Sequence, residues 1–253
     1  PVIVWIHGGA WISGARGDIA NYLRILAGRG MVTVGVDYSI APASRYPAPL
    51  RQVNRALGFL SENSAELGID PGRIVLAGDS AGSQIAAQVA ALTTDPGYAS
   101  KIGIEPRLRP GQLRAALLNC GAYDLNLASG KGLQGWFLGT ALRAYSGSRD
   151  YLDLESFRLA SVAGHVSDRF PPTFITAGND DPLLPHSVAM ARRLTELGVT
   201  TDPMFFDPDH RPRLGHEYQF DLELAEGREA LERMVGFVQD HATLLQTDTS
   251  LPS

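Results

Sequence analysis

The stretch Ile-Val-Leu-Ala-Gly-Asp-Ser-Ala-Gly at residues 74–82 decides the fold of this chain. Its leading apolar residues predict a buried strand, and the small residues from Ala81 to Leu92 predict a helix directly after it. Ser80 lies between the two, in a Gly-x-Ser-x-Gly motif on a tight strand-to-helix turn, which is the arrangement of a nucleophile elbow. Such a turn leaves no room for side chains beside the serine, which explains the two glycines. It lifts the hydroxyl clear of the backbone, so Ser80 is a candidate nucleophile.

A second glycine-containing loop follows the first apolar run of the chain. Val2–Ile6 predicts a buried strand, and His-Gly-Gly-Ala-Trp at residues 7–11 comes next. Consecutive glycines let backbone N–H groups face a ligand without obstruction by β-carbons. Acyl transfer needs two or three such donors for the oxyanion of its tetrahedral intermediate. We therefore predict Gly8 and Gly9 as oxyanion donors from this loop, and Ala81, directly after the serine, as the third.

Apolar runs alternate with helical patterns along the chain, which predicts a mostly parallel sheet flanked by crossover helices. The predicted strands lie at 2–6, 32–37, 74–78, 115–119, 173–177 and around 204–206. The predicted helices lie at 19–28, 47–67, 81–92, 183–197 and 227–241. The sequence therefore predicts the α/β fold class, with a single domain over residues 1–253.

Two stretches interrupt this alternation. Residues 96–110, with three basic residues among prolines and glycines, predict a surface excursion. Residues 121–172 form a longer insertion, which we interpret as a cap at the carboxyl ends of the strands, where lids and substrate pockets lie. Packing on the body of the protein is one interpretation of its aromatic residues; as a group, they are predicted to line or cover an apolar acyl site. These residues are Trp136, Phe137, Tyr145, Tyr151 and Phe157.

The composition argues against several classes of protein. Of 253 residues, 44% are apolar and 19% charged, and the net charge of −5 argues against a nucleic-acid or anionic-membrane partner. No apolar stretch approaches the roughly 18 residues that cross a bilayer, and no signal peptide is visible. The single cysteine, Cys120, excludes an internal disulfide and is interpreted as a buried structural thiol; the compartment stays open, with the cytoplasm favoured. No Cys/His cluster has zinc spacing, so no zinc site is expected.

Three motifs in order, at residues 7–11, 37–42 and 78–82, resemble those of the hormone-sensitive-lipase-like esterases. These are α/β-hydrolases that cleave carboxylic esters without a cofactor, and the resemblance covers nearly the whole chain. It implies an α/β-hydrolase fold with a cap insertion at 121–172. The third glycine of the family's His-Gly-Gly-Gly motif is replaced here by Ala10, whose N–H still donates.

The resemblance carries two further expectations. It makes Asp37 and Tyr38 mainly a brace for the oxyanion loop, although the motif departs from the family pattern at Ser39 and Ile40. Family members also carry earlier strands and helices that pair at the sheet edge and roof the site. Because this sequence opens directly on a predicted central strand, we expect that the family's N-terminal strands are missing from it.

A nucleophilic serine needs an imidazole to take its proton and a carboxylate to orient that imidazole. In α/β-hydrolases the order along the chain is serine, acid, histidine. The strand predicted at 173–177 is followed by Gly-Asn-Asp-Asp-Pro-Leu, and the family's acid, the aspartate of Asp-Pro-Leu, corresponds to Asp181. Asp180 is the alternative acid, and a turn or helix cap is its other role.

The histidine is expected in the loop after the last strand, where both His210 and His216 lie. His216 follows Gly215 and resembles the family's Gly-x-His-x-Phe-like loop, so it is favoured as the base. His210 remains the alternative, because its separation from Asp181 is common in the family.

These residues together predict a serine carboxylesterase that hydrolyses short- to medium-chain esters through an acyl-enzyme on Ser80. A non-catalytic ligand-binding protein on the same fold is the alternative from a different class. A peptidase or a lipase is the alternative within the fold. The expected partner is a small-molecule ester; neither nucleic acid nor a membrane span is expected, and a homodimer is compatible with the sequence.

Overall fold

The computed structural model describes residues 1–127 and 132–242. Its strands are β1 (Val2–Ile6), β2 (Val32–Val36), β3 (Ile74–Asp79), β4 (Leu113–Asn119), β5 (Thr173–Thr176) and β6 (Thr201–Met204). They form one sheet in the order β2-β1-β3-β4-β5-β6, and every neighbouring pair is parallel. The strand order reverses between β1 and β3, and open parallel sheets bind ligands at the carboxyl ends of the strands beside such a reversal.

Helices cover both faces of the sheet. They are α1 (Ala20–Ala27), α2 (Ala48–Glu62), α3 (Ser64–Leu67), α4 (Ser80–Thr94), α5 (Pro96–Ile102), α6 (Gly132–Ser146), α7 (Glu155–Arg158), α8 (Leu184–Glu196) and α9 (Ala225–Ala242). Because side chains alternate along a strand, the sheet separates two cores. On one face Trp5 and Val75 pack with apolar residues of α1 and α9. On the other face Ile6 and Leu76 pack with apolar residues of α2, α4 and α8.

The predicted α/β fold class is confirmed, and the first five strands lie within about two residues of their predicted positions. The last strand, predicted around 204–206, ends at Met204 instead, because Phe206 leaves the sheet to pack on Tyr218. The single helix predicted over 47–67 is two helices, which meet at Asn63. In residues 1–127 and 132–242, none of the helices has the length and apolar character needed to cross a bilayer.

The segment at 96–110, predicted as a surface excursion, is largely exposed but contains a short helix, α5, and apolar anchors. The Asp95 carboxylate accepts a hydrogen bond from the Gly97 N–H and so caps α5. Tyr98 and Ile102 of this helix are buried in the core. The basic residues that suggested an exposed loop do face solvent, but apolar residues between them anchor the segment.

The turn from β3 into α4 fixes the position of Ser80. Ser80 has a φ of 50°, in the left-handed region, and all fifteen residues of α4 are buried. Gly82, in the first turn of α4, lies directly against the end of β1. A β-carbon at Gly82 would overlap the carbonyl oxygens of Ile6 and His7. The helix therefore approaches the sheet as closely as the two backbones allow, and this approach holds Ser80 at the carboxyl edge of the sheet.

We expect Gly82→Ala to lower the free energy of unfolding by at least about 2 kcal/mol, because the added methyl group has no space beside β1. Gly236→Ala is the matched control. Gly236 lies in α9, and an added β-carbon there meets no atom within 4 Å. That substitution should stabilise the protein by about 0.5–1 kcal/mol through helix propensity. Urea unfolding followed by circular dichroism measures both changes, and a Gly82→Ala protein as stable as the wild type would contradict the packing argument.

Candidate active site

The three residues favoured for the catalytic triad meet at the carboxyl edge of the sheet. Ser80 begins α4, Asp181 follows β5, and His216 follows β6. The Nε2 atom of His216 lies 2.9 Å from Oγ of Ser80, and its Nδ1 lies 2.9 Å from Oδ2 of Asp181. The second oxygen of Asp181 accepts the Leu183 N–H at 2.7 Å, which fixes the plane of the carboxylate. The arrangement can pass the serine proton to the imidazole.

The two alternative residues lie elsewhere. The carboxylate of Asp180 points towards Arg213, at 3.3 Å, and is largely exposed. His210 is in the loop between β6 and α9, and its Nε2 atom lies 2.8 Å from Oε1 of Glu226 in α9. Neither of them contacts Ser80 in the part of the chain that the structure describes. The geometry therefore supports Asp181 and His216 rather than Asp180 and His210.

The surroundings of His216 favour its protonated form. Burial lowers the pKa of His216, but the hydrogen bond to Asp181 and the contact with the Cys120 thiol outweigh burial, so the net pKa lies above the ordinary histidine value. Cys120 is buried, as its sequence position predicted, and burial raises the pKa of its thiol. An imidazole held in this way is a stronger base than a free one.

Cys120, Asp181 and His216 are residue types that can bind a metal ion, and they lie close together. Ligand atoms of Cys120, Asp181 and His216 lie within 4.8 Å of one another. Two of these atoms, Nδ1 of His216 and Oδ2 of Asp181, are already bonded to each other. A metal ion at this point would therefore have to displace that hydrogen bond.

The loop after β1 faces Ser80, and Tyr38 supports it from below. The ring of Tyr38 stacks on His7 at 4.4 Å, and its hydroxyl donates to the carbonyl oxygens of His7 and Gly8 at 3.1 and 3.3 Å. Asp37 instead accepts the Arg16 N–H at 2.7 Å, in the later part of the same connection between β1 and α1. Tyr38 thus contacts the loop as the family resemblance implied.

The structure differs from the prediction at Gly8. Its N–H donates to Oδ2 of Asp79 at 2.8 Å, so Gly8 is not free to act as an oxyanion donor. The N–H groups of Gly9 and Ala10 have no acceptor among the described residues, and Ala10 borders the cavity in front of Ser80. Loop donors are therefore better assigned to Gly9 and Ala10, with Ala81 after the serine. A sequence motif does not show which of its N–H groups is already hydrogen-bonded to another residue of the protein.

Asp79 is a site residue whose role the sequence did not indicate. Its carboxyl is buried beneath the loop and accepts hydrogen bonds from Nε1 of Trp5 at 2.7 Å and from Gly8. Burial, followed by the proximity of Glu217, raises the pKa of Asp79 to about 8. The sequence feature that could have indicated this role is the place of Asp79 directly before Ser80. A charged residue at the end of a buried strand needs hydrogen-bond partners.

A cavity of about 860 Å³ opens in front of Ser80 and His216. Its walls are mainly apolar and come from the loop after β1, from α6 and from the segment after β5. Six of the residues that line it are Trp11, Ala122, Trp136, Phe137, Leu138 and Leu183. A cavity of this size with a polar end suits a small ligand that has an apolar part.

The aromatic residues of the insertion divide into two groups. Trp136 and Phe137 line the cavity and are 65% and 51% exposed, so they border its entrance. Tyr145 and Phe157 are instead fully buried, and Tyr145 stacks on Trp11 at 5.1 Å. Tyr151 packs edge-on against Phe157, at a second, more polar cavity of about 540 Å³. Of the five aromatic residues predicted to line or cover the site, Trp136 and Phe137 line the cavity in front of Ser80, and the other three do not.

Comparison with known proteins agrees with this geometry. A family model described as alpha/beta hydrolase fold matches residues 3–207. The chain is 32% identical over 236 residues to carboxylesterase NlhH of Mycobacterium tuberculosis, covering 92% of this chain and 71% of that protein. It is 31% identical over 211 residues to esterase LipQ of the same organism, covering 79% of this chain and 47% of LipQ. The chain thus spans about half of one relative and seven tenths of the other.

Solved structures show the same relationship. An esterase of Pyrobaculum calidifontis superposes with a TM-score of 0.77 at 26% identity, covering 95% of this chain and 76% of that one. Esterase LipW of Mycobacterium marinum superposes with a TM-score of 0.75 at 26% identity, covering 95% of this chain and 73% of that one. The chain belongs to the α/β-hydrolase fold family, in the hormone-sensitive-lipase-like group of esterases that its motifs predicted.

Proposed function

We propose that this chain is a serine carboxylesterase that hydrolyses short- to medium-chain carboxylic esters through an acyl-enzyme on Ser80. The observation that carries the proposal is the continuous hydrogen-bonded path from Ser80 through His216 to Asp181, with 2.9 Å at each step. The similarity to proteins named esterase and carboxylesterase supports the reaction class.

The reaction follows from the positions of these groups. Oγ of Ser80 attacks the ester carbonyl carbon as its proton passes to Nε2 of His216. The carbonyl π electrons move onto oxygen, and the N–H groups of Gly9, Ala10 and Ala81 stabilise that oxyanion. When the tetrahedral intermediate collapses, the C–O bond to the alcohol breaks, and His216 returns the proton to the departing oxygen. Water then repeats the sequence on the acyl-enzyme and releases the carboxylic acid.

Asp181 keeps its negative charge throughout this cycle. It holds the Nδ1–H tautomer of His216, so that Nε2 presents its lone pair to Ser80. Its side chain is fully buried, which strengthens its attraction to the imidazolium that forms in the transition state. A second candidate function, ligand binding without catalysis, predicts an unreactive serine and is tested by covalent labelling.

A fluorophosphonate probe should label Ser80, because only an activated serine attacks phosphorus at a useful rate. Ser80→Ala should abolish labelling, and His216→Asn should slow it by about 10³-fold or more. His210→Asn is the matched control, since His210 contacts Glu226 and not Ser80. Labelling rates measured by intact-protein mass spectrometry decide the matter. An unlabelled wild-type protein would favour the ligand-binding alternative.

Hydrolysis should fall as the pH is lowered, because His216 accepts the serine proton only when it is neutral. Since Asp181 raises the pKa of His216, the midpoint in kcat/KM should lie at or above the ordinary value of about 6.5. Asp181→Asn should move the midpoint to lower pH and reduce kcat by about 10³- to 10⁴-fold. A wild-type rate that stays constant down to pH 5 would contradict a histidine base.

Short acyl chains, on the order of two to eight carbons, should be preferred over long ones, because a bounded cavity encloses a limited acyl length. The cavity of about 860 Å³ is bordered at its entrance by Trp136 and Phe137. The measurement is kcat/KM for p-nitrophenyl esters from acetate to palmitate, with Ser80→Ala as the blank. A maximum at palmitate, or activation at an oil–water interface, would instead identify a lipase.

A further inference from the structure

Glu217, directly after His216, has no role in the proposed reaction, yet its side chain turns back into the site. Its φ of 62° lies in the left-handed region, which disfavours a residue with a β-carbon. Its Oε1 lies 3.8 Å from Nε2 of His216, the nitrogen that faces Ser80. A carboxylate in this position interacts electrostatically with the imidazole of His216, and the interaction is attractive when the imidazole is protonated.

The same carboxyl group also lies beside the carboxyl of Asp79, whose pKa it raises. The two groups meet beside the bare α-carbon of Gly8. A β-carbon there would overlap Oδ2 of Asp79 and lie 2.9 Å from Oε1 of Glu217 and 3.1 Å from Cβ of Ser80. Two carboxyl groups packed against one α-carbon repel each other strongly when both are ionised, and one proton between them would remove that repulsion.

Asp79 in turn holds the oxyanion loop. One of its oxygens accepts the Trp5 indole N–H and the other accepts the Gly8 N–H. Glu217 therefore touches the loop through Asp79 on one side and the catalytic base on the other. Its contacts join the two parts of the site that must be aligned when the oxyanion forms.

We propose that Glu217 is a positioning residue that shares one proton with Asp79, presents a single negative charge to His216, and keeps the oxyanion loop in place. The inference rests on the proposed esterase function and adds a residue to it. The shared proton lets Asp79 keep its bonds to the loop without a second buried charge. The remaining charge favours the imidazolium that forms as Ser80 attacks.

The electrostatic surroundings agree with a shared proton. Burial and Glu217 raise the pKa of Asp79 to about 8, so the pair keeps its proton at neutral pH. Among the described residues, Tyr38 from the end of β2 lies near Asp79, and Cys120 from the end of β4 lies near Glu217. His7, beside Gly8, stacks on Tyr38. His216 is the histidine that lies within 4 Å of a carboxyl oxygen of the pair, and it is the group that the proposed reaction protonates.

The first test compares Glu217→Gln, which keeps the shape and removes the charge, with Glu217→Gly, which removes the side chain and suits a left-handed φ. The exposed carboxylate Glu223 provides the control, as Glu223→Gln. In both Glu217 variants we expect kcat to fall by about 3- to 10-fold, with KM within about twofold of wild type. The acidic midpoint of kcat/KM should move down by about half a pH unit or more, because a negative charge near His216 is lost.

The wild type should also lose activity above about pH 8, where the shared proton dissociates and the two carboxylates repel. Glu217→Gln should abolish this alkaline decrease, and Glu223→Gln should keep the wild-type profile. A Glu217→Gln profile identical to the wild type would overturn the proposal. A change seen only in Glu217→Gly would overturn it too, because the side chain would then act by packing alone.

The second test needs no substrate. The ordinary pKa of an aspartate is about 3.9, so its elevation in the fold makes the native protein hold a proton that the unfolded chain releases. The stability from this proton is full below about pH 4 and is lost as the pH rises through about 8. The melting temperature should therefore fall more between pH 6 and pH 9 in the wild type than in Glu217→Gln.

An equal fall in both proteins would overturn the shared proton, whatever the activity. If the wild type neither hydrolyses p-nitrophenyl butyrate nor reacts with a fluorophosphonate, the esterase proposal fails. The melting comparison still decides whether Asp79 and Glu217 share a proton, so the two failures are distinguishable.

Discussion

The position of the Ser80 hydroxyl depends on one steric constraint, the direct contact between the first turn of α4 and the end of β1. With no side chain at Gly82, the helix lies against the carbonyl oxygens of β1, and the chain turns into it through a left-handed serine. That backbone conformation costs on the order of 1–3 kcal/mol. Ile85, Val89 and Leu92 of α4 are fully buried, and each contributes about 1.5–3 kcal/mol. The packing of the helix therefore outweighs the strain at its first residue.

The two buried aspartates near Ser80, Asp79 and Asp181, have different roles because their neighbouring groups differ. Each accepts two hydrogen bonds: Asp181 from His216 and the Leu183 N–H, and Asp79 from Trp5 and the Gly8 N–H. Asp181 faces a group that becomes positive during the proposed reaction, so its negative charge stabilises that group. Asp79 faces a second carboxyl, so a proton in that pair removes a repulsion. The same residue type thus orients a base at one point and holds a backbone loop at the other.

The sequence was sufficient for features that depend on local pattern and chain order. Buried parallel strands read as continuous apolar runs, and the motifs at 7–11 and 78–82 placed the loop after β1 and the strand-to-helix turn at Ser80. The strand prediction was wrong at Phe206. Its apolar side chain suggested a strand residue, but its ring packs on Tyr218 outside the sheet. The sequence pattern also predicted Gly8 as an oxyanion donor. It did not indicate that the Gly8 N–H already donates to Asp79, because Asp79 is 71 residues away in the chain. Pairings of this kind depend on the assembled fold, so pattern alone does not contain them.

Asp181 and His216 lie in loops that follow different strands, and β6 is a short edge strand with polar residues. The side chain of Asn179 connects the two loops. Oδ1 of Asn179 accepts the Leu214 N–H at 2.9 Å, and its Nδ2 donates to the carbonyl oxygens of Asp207 and His210 at 3.1 Å. The backbone N–H of Asp180 completes the connection by donating to the carbonyl oxygen of Leu214 at 2.9 Å. These bonds join the loop of Asp181 to the loop of His216, so the distance between the two side chains does not depend on the pairing of β6 alone.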